Sequence, residues 1–553
     1  MDLSAIGIET NFSTLDWCIV VGYLLVVVGV GVYVKRYITN VTDFIVAGRG
    51  LKTFLAVATM IGTELGLVTV MYSSQKGFSG GFAAFHIALA AAVVTLVVGL
   101  TGFIVVPLRR LKVMTIPEFY EKRFGRGVRI LGGIILALSG ILNMGLFLKA
   151  GSLFVMGITG LTQTAHLNII MTVLLAMVLL YTTLGGMVSI VVLDYIQFVV
   201  LSFGLLIASL LSIRYLGWSN IIETVSRIKG QAGFDPFDSE GFGVPYVVWM
   251  FFLGLVSCAV WQTAVIRACS AENTRTVKRI YTWASIGFLM RFLLPYFLGI
   301  CALVYIVQPE QEALRGIFAP AHGSADSQVT LMAMPVFLSQ ILPAGFIGII
   351  SAGMLAAFMS THDSYLLCWS SVLTQDVVAP WFKRGLSSKA RLLLTRVFII
   401  GIGVFILIWG LWYDLGQDLW DYMAISGAIY FTGAIALLVF GLYWKRASKV
   451  GAYAALVCGL LALIGLTPVQ NLLNPLKLRF GFTEEIAVEK VTKKMVLVAQ
   501  DIPIEEITTK TVEVYKMIGS EIVGLAVIAL AILAMIAGSL LFPRSRTSSE
   551  AKE

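Results

Sequence analysis

Residues 55–77 read LAVATMIGTELGLVTVMYSSQKG, an apolar run with a glycine on either side of a central acid. A hydrocarbon core of about 30 Å takes about 20 apolar residues in helical form, and the run meets that length. Its middle, Gly62-Thr63-Glu64-Leu65-Gly66, puts a carboxylate between two poor helix formers at mid-membrane depth. A charge there costs at least about 2.5–3.5 kcal/mol unless it is paired or hydrated. Irregular backbone at that depth is tolerated where it is buried in protein or lines a cavity. The stretch therefore reads as a discontinuous helix at a binding site.

The rest of the chain fits a membrane protein. Of its 553 residues, 58% are hydrophobic and 13% charged, and mean hydropathy is +0.90. A soluble domain of this size needs far more polar surface. The net charge of +9 does not point to nucleic acid, because Lys and Arg sit in short clusters between apolar runs. Six cysteines lie in or beside those runs with no CxxC spacing, so neither disulfides nor a metal site is expected. The first sixteen residues lack the basic region of a cleavable signal peptide, so the first span is expected to be retained.

Thirteen runs are long enough to span, at about 17–34, 54–74, 84–107, 130–158, 167–183, 190–213, 245–266, 282–306, 343–374, 392–412, 419–443, 450–467 and 519–542. With the N-terminus outside, the inside segments hold 26 of the 40 Lys and Arg residues and the outside segments 12. Lys149 and Arg291 fall within spans. Seven of the outside twelve belong to the long loop 468–518, where charge constrains orientation least. The expectation is N-out, C-in. The loop alternates enough to fold locally as a small extracellular cap, and its lack of His and Cys argues against an enzymatic role. The tail PRSRTSSEAKE is too short for a fused cytoplasmic domain.

A second interrupted run lies five spans after the first. YVVWMFFLGLVSCAVWQT (246–263) carries Gly254 and a polar edge at Ser257, Trp261, Gln262 and Thr263. Spans 2–6 and 7–11 thus read as two five-helix halves, with close glycine packing as the competing explanation.

Further elements are spread along the chain. Asp43-Phe44-Ile45-Val46-Ala47-Gly48-Arg49 precedes span 2, and Thr115-Ile116-Pro117-Glu118-Phe119 with Lys122-Arg123-Phe124-Gly125 precedes span 4. Tyr181-Thr182-Thr183-Leu184-Gly185-Gly186, Asp194 and Gln197 follow, then Gln262 and Arg267. Span 9 holds Gly353-Met354-Leu355-Ala356-Ala357-Phe358-Met359-Ser360-Thr361-His362-Asp363-Ser364, and Trp444-Lys445-Arg446 ends span 11. In this order, over about 43–450, the chain resembles the sodium:solute symporter family, whose members carry sugars, amino acids, vitamins and organic anions. The resemblance implies an all-α membrane fold with a LeuT-like core of two inverted five-helix repeats. The expected parts are a first helix and its loop (1–45), repeats at 46–214 and 215–446, and two final spans with the insert 468–518 (447–553).

Ala357, Ser360 and Thr361 stand at i, i+3 and i+4, on one helix face. Sodium is a hard cation that takes carbonyl and hydroxyl oxygens. The resemblance implies a sodium site made by the carbonyls of Ala357, Gly62 and Leu65 and the hydroxyls of Ser360 and Thr361. The competing reading is that both hydroxyls bond back to their own helix. One charge crossing 100 mV supplies about 2.3 kcal/mol and a tenfold gradient about 1.4, enough for a solute gradient of a few hundredfold. Sodium is thus the expected co-transported ion, with no organic cofactor and no nucleotide motif.

The substrate-facing candidates are Thr63, Glu64 and Thr69 on the broken helix, with Lys149, Trp261, Gln262 and Arg291. Glu64 reads as a group near the ion or a cationic moiety, or else as a structural anchor. Lys149, about 30 Å along span 4 from Arg129, reads as a carboxylate-binding or Glu64-pairing lysine, or as a snorkelling one. Arg291 matches a lysine of the sugar-transporting branch, against a structural ion pair. Asp194 and Asp363, near cytoplasmic helix ends, are candidate gates or caps. The sugar pattern itself is broken: Trp261-Gln262 stands where that branch has Asn-Gln, 421–426 holds no Gln, and span 3 opens with His86 where an acid belongs.

The expected function is sodium-coupled uptake of a small organic solute by alternating access at the plasma membrane. The lean is to a carboxylate or amino-acid-like substrate. The alternatives are a sodium/sugar cotransporter and a transporter-like sensor without net transport. An enzyme is not expected, since His86, His166, His322 and His362 fall in separate segments.

Overall fold

The computed structural model describes residues 10–34, 52–161, 163–239, 241–319, 326–382, 386–413, 417–474, 483–494, 504–515 and 517–543. The chain is a bundle of helices with one β-ribbon in the insert. The principal helices are α1 (Thr14–Val34), α2 (Thr53–Glu64), α3 (Leu67–Gly80), α4 (Phe85–Thr101), α5 (Ile116–Phe124), α6 (Arg126–Asn143), α7 (Phe147–Thr159) and α8 (Thr164–Leu216). After them come α9 (Gly243–Ala259), α10 (Gln262–Ser270), α11 (Thr274–Ile306), α12 (Ser327–Ile341), α13 (Phe346–Val372), α14 (Ser388–Trp412), α15 (Leu419–Tyr443), α16 (Lys449–Gly459) and α17 (Ser520–Leu541). Among the described residues eight helices are long and apolar enough to cross a membrane, nine if α9 and α10 count as one bent span. The expected thirteen are not all counted among the described residues, because α2 and the described apolar parts of α1, α8 and 449–465 are shorter than a span and α3 and α4 count together as one run over 67–101.

Two differences from the sequence expectation concern helix limits. The spans expected at 167–183 and 190–213 lie in the single helical run of α8. α12 lies in a region read as loop; at 15 residues it is too short to span, and nearly all of its apolar side chains are buried inside the bundle. The insert folds locally, as β1 (Thr483–Lys494) paired antiparallel with β2 (Ile504–Tyr515), Thr483 opposite Tyr515 and Lys494 opposite Ile504.

Burial separates core from lipid-facing helices. Every residue of α13 from Ile350 to Val372 is buried, polar ones included. α14 instead exposes Leu393, Val397, Ile400, Val404 and Ile408, spaced three or four apart along one face. Such an apolar stripe outside a polar-lined centre belongs against lipid.

Both interrupted runs break. Between α2 and α3, Leu65 (φ −91°, ψ 63°) and Gly66 (φ −88°, ψ 167°) leave helical geometry. α13 passes so close that a Cβ on Gly66 would sit 2.1 Å from Thr361 Oγ1. Between α9 and α10 the break falls at Val260-Trp261, not at Gly254, and the helix bends by 42°. The Trp261 amide reaches back five residues to Val256 O (2.8 Å), so the last turn of α9 is widened.

Candidate functional site

Two helix breaks brought together leave unpaired backbone groups that side chains must satisfy. Thr69 Oγ1 donates to Glu64 O at 2.8 Å, capping a carbonyl freed by the first break. Tyr72 OH donates in turn to Thr69 Oγ1 at 3.2 Å. Thr69 therefore stabilises the break and does not line the cavity described next.

Glu64, the last residue of α2, joins three elements. Arg291 Nη1 on α11 donates to its Oε2 at 3.1 Å, and Thr263 Oγ1 on α10 donates to its Oε1 at 3.1 Å. The side chains of Arg291 and Glu64 are 3% and 10% exposed, so each charge depends on the other for compensation. The Arg291 guanidinium also lies over the rings of Phe288 and Phe292, 4.3 Å from each centroid.

The pair borders a central cavity of about 100 Å³, whose wall includes Tyr72, Asn143, Trp261, Phe292, Tyr365 and Trp420. Tyr72 and Phe292 pack on Trp420 with ring centroids 4.8 and 5.6 Å away. Trp261 Nε1 donates to Tyr365 OH at 3.2 Å. An apolar, aromatic enclosure with one paired acid and base is the usual make-up of a small-molecule site.

Contacts flank the stretch that lines this cavity at both of its ends. Along α9 and across the second break the order is Tyr246, the lining residues Met250 to Ser257, then Trp261 and Gln262. At the Tyr246 end, Lys76 Nζ at the C-terminal turn of α3 lies 2.8 Å from Asp418 Oδ2 and 2.7 Å from Asp421 Oδ2. Tyr246 OH and Ser520 Oγ donate to Asp421 Oδ1 at 3.2 and 3.1 Å. At the other end Gln262 Oε1 accepts from the Ile116 amide at 2.9 Å, and its Nε2 donates to Met114 O at 3.3 Å. Gln262, expected to face the solute, instead holds the second break to the loop before α5.

The residues expected to bind sodium lie on α13 and at or beside the first break. Thr361 Oγ1 is 2.9 Å from Ala357 O and 3.4 Å from Thr63 O across the break. Ser360 Oγ is 3.4 Å from Ala357 O. Gly62 and Leu65 are buried in the facing segment. The hydroxyls thus bond back to their own helix, yet Thr361 also bridges to α2, and a hydroxyl donating one hydrogen keeps lone pairs for a cation.

Thr63 joins this cluster and not the cavity wall, since its Oγ1 accepts from Arg267. Arg267, 2% exposed, also donates to Thr263 O (2.7 Å) and Ser364 Oγ (3.2 Å), so one guanidinium ties both breaks to α13. Sequence reasoning picked out Arg267 as a motif residue without giving it this place. Lys149 does not pair with Glu64: its Nζ donates to Tyr413 O at 2.8 Å, at the C-terminus of α14, where the helix dipole favours a cation. Asp363 is buried in α13, and the Asp194 side chain lies outside the described residues. His86 packs edge-on against Phe242, with Nδ1 2.6 Å from Ala83 O.

Comparison with known proteins agrees with this fold. A family-wide sequence pattern, the sodium:solute symporter family, matches residues 44–459. The sodium/glucose cotransporter of Vibrio parahaemolyticus is 23% identical over 478 residues, covering 82% of this chain and 85% of that protein. Sodium/myo-inositol cotransporter 2 of Bos taurus is 25% identical over 487 residues, covering 81% and 68%. Among solved structures, a Na+-coupled sialic acid symporter in a substrate-bound outward-open state superposes with a TM-score of 0.72 at 18% identity, covering 97% of this chain and 100% of that one. The chain belongs to the sodium:solute symporter family, as a multi-pass membrane transporter that couples solute movement to sodium and not as an enzyme.

Proposed function

We propose that the chain carries a small carboxylate or zwitterionic solute, such as an amino acid, into the cell by alternating access. Sodium binds where α13 crosses the first break, at Gly62, Leu65, Ala357, Ser360 and Thr361. The observation that carries the ion site is Thr361 Oγ1 standing 3.4 Å from Thr63 O, with Gly66 too close to α13 for any side chain. The solute binds in the central cavity with its carboxylate toward Arg291 and its ammonium toward Glu64, both of which line it. Trp261 closes the cavity against Tyr365. In this reading the chain crosses the plasma membrane thirteen times, N-out and C-in, with inverted repeats at 46–214 and 215–446. The Lys76 cluster is then the outer closure and the Gln262 contacts the inner one.

Sugar transport is the second reading, favoured by relatives whose names are sodium/glucose and sodium/myo-inositol cotransporter. A panel of labelled amino acids, organic acids and sugars in proteoliposomes, with and without an inward sodium gradient, separates the two. Accumulation of a carboxylate or amino acid, and of no sugar, supports the first reading; sugar accumulation overturns it.

A further inference from the structure

Arg291 borders two spaces. One is the central cavity; the other is an apolar groove of about 690 Å³ between α2, α8 and α11, along Phe54, Leu206, Trp283, Met290 and Leu294. The groove follows α11 for twelve residues, about 17 Å, and the exposure of Phe54 and Trp283 opens it toward lipid. Its polar contributors are Thr53, Ser202 and Arg291. The Arg291 Nε is buried and has no hydrogen-bond partner among the described residues, although Nη1 serves Glu64.

A guanidinium with an unused donor at the side of an apolar slot selects an anion with an apolar tail. Depth narrows the class further. Arg291 is 17 residues from the start of α11 and 15 from its end, so it sits near mid-span. Phospholipid headgroups stay at the interface and do not reach that level. A single-chain carboxylic acid can enter the bilayer neutral and pass its proton to the Glu64 carboxylate as its own carboxylate takes over the guanidinium, where the ion pair favours the charged form.

We propose that this groove binds a single-chain amphipathic carboxylate from the bilayer, with its headgroup at Arg291 and its tail along α11. The bound carboxylate competes with Glu64 for the guanidinium, so a membrane-derived fatty acid acts on the central pair from the side.

The full chain in lipid nanodiscs tests this through Trp283 fluorescence, read as the difference between the unmodified protein and Trp283→Phe. Dibromostearic acid should quench the Trp283 component saturably, and its methyl ester should bind roughly tenfold more weakly for want of one charge-assisted bond. The acid–ester difference should vanish in the neutral double variant Glu64→Gln/Arg291→Gln. Ser202→Phe, which fills the slot without touching the pair, should weaken both ligands. Equal quenching by acid and ester, a difference that survives the double variant, or quenching by brominated phospholipid alone would each overturn the proposal. The readout needs no transport, so failure of the solute assignment leaves this result interpretable.

Discussion

Lys76 Nζ lies 2.7 Å from Asp421 Oδ2, joining the end of the first broken helix to the first turn of α15. The aromatic layer of Tyr72, Phe292 and Trp420 covers the cavity beside it. In the proposed cycle this cluster is the outer closure, and it separates only if the ammonium leaves both carboxylates.

Lys76→Met should therefore favour the state open at that end. Asp421 keeps Tyr246 and Ser520 as donors, so the fold is expected to survive. The pair is partly buried, and a shift of roughly tenfold in the open population corresponds to about 1.4 kcal/mol. The check is the rate at which a membrane-impermeant thiol reagent labels Met423→Cys in a background without native cysteines. An unchanged rate would mean that the cluster is not part of the closure.

The Glu64–Arg291 pair should show strong coupling. Removing one partner of a buried ion pair typically costs about 3–5 kcal/mol, whereas removing both can be nearly neutral. Glu64→Gln and Arg291→Gln should each lower the melting temperature in detergent more than the double variant does. All three should lose solute uptake if the pair reads the solute's charges. A double variant that transports normally would reduce the pair to a structural link.

The broken-helix architecture was legible because glycine and a mid-membrane acid at 62–66 cannot belong to an ordinary lipid-facing helix. That Ala357, Ser360 and Thr361 share one side of a helix was legible from spacing alone. Side-chain direction was not. Thr69 and Gln262 sit in the right elements but satisfy backbone groups at the break and before α5, a demand that appears only once the chain is folded. Charge alone points Lys149 to Glu64, yet its ammonium donates to Tyr413 O at the C-terminus of α14. α12 falls between two of the thirteen runs, and its 15 residues are fewer than a span needs.

Sodium dependence should track Thr361 more closely than Ser360. Thr361 Oγ1 reaches both Ala357 O and Thr63 O, whereas Ser360 Oγ is 3.4 Å from Ala357 O alone. Thr361→Ala should raise the sodium concentration for half-maximal uptake by roughly tenfold or more, the loss of about one ligand contact. Ser360→Ala should give a smaller rise, and the double variant should abolish sodium activation. Gly66→Ala should match the double variant by a different route, because its methyl would meet Thr361 Oγ1 at 2.1 Å. Sodium activation curves that superpose for all four variants and the unmodified protein would move the ion elsewhere.

Asp16 makes the sharpest prediction for stability alone. Its Oδ1 accepts from the Gly345 and Gly348 amides at 2.8 and 2.7 Å, at the N-terminus of α13, and its Oδ2 accepts from Ser13 N and Oγ. A carboxylate there satisfies orphan donors and complements the helix dipole. It also pins α1 to the helix that carries Ser360 and Thr361. Asp16→Ala should cost about 1–3 kcal/mol, since it leaves buried amides without an acceptor. Asp16→Asn should cost less, because its amide oxygen still accepts while the charge is lost. Melting temperatures in detergent would fall in that order, with the sodium concentration for half-maximal uptake unchanged in whatever protein remains folded. A shifted sodium response with intact stability would instead place Asp16 in the transport cycle, and the purely anchoring role would be wrong.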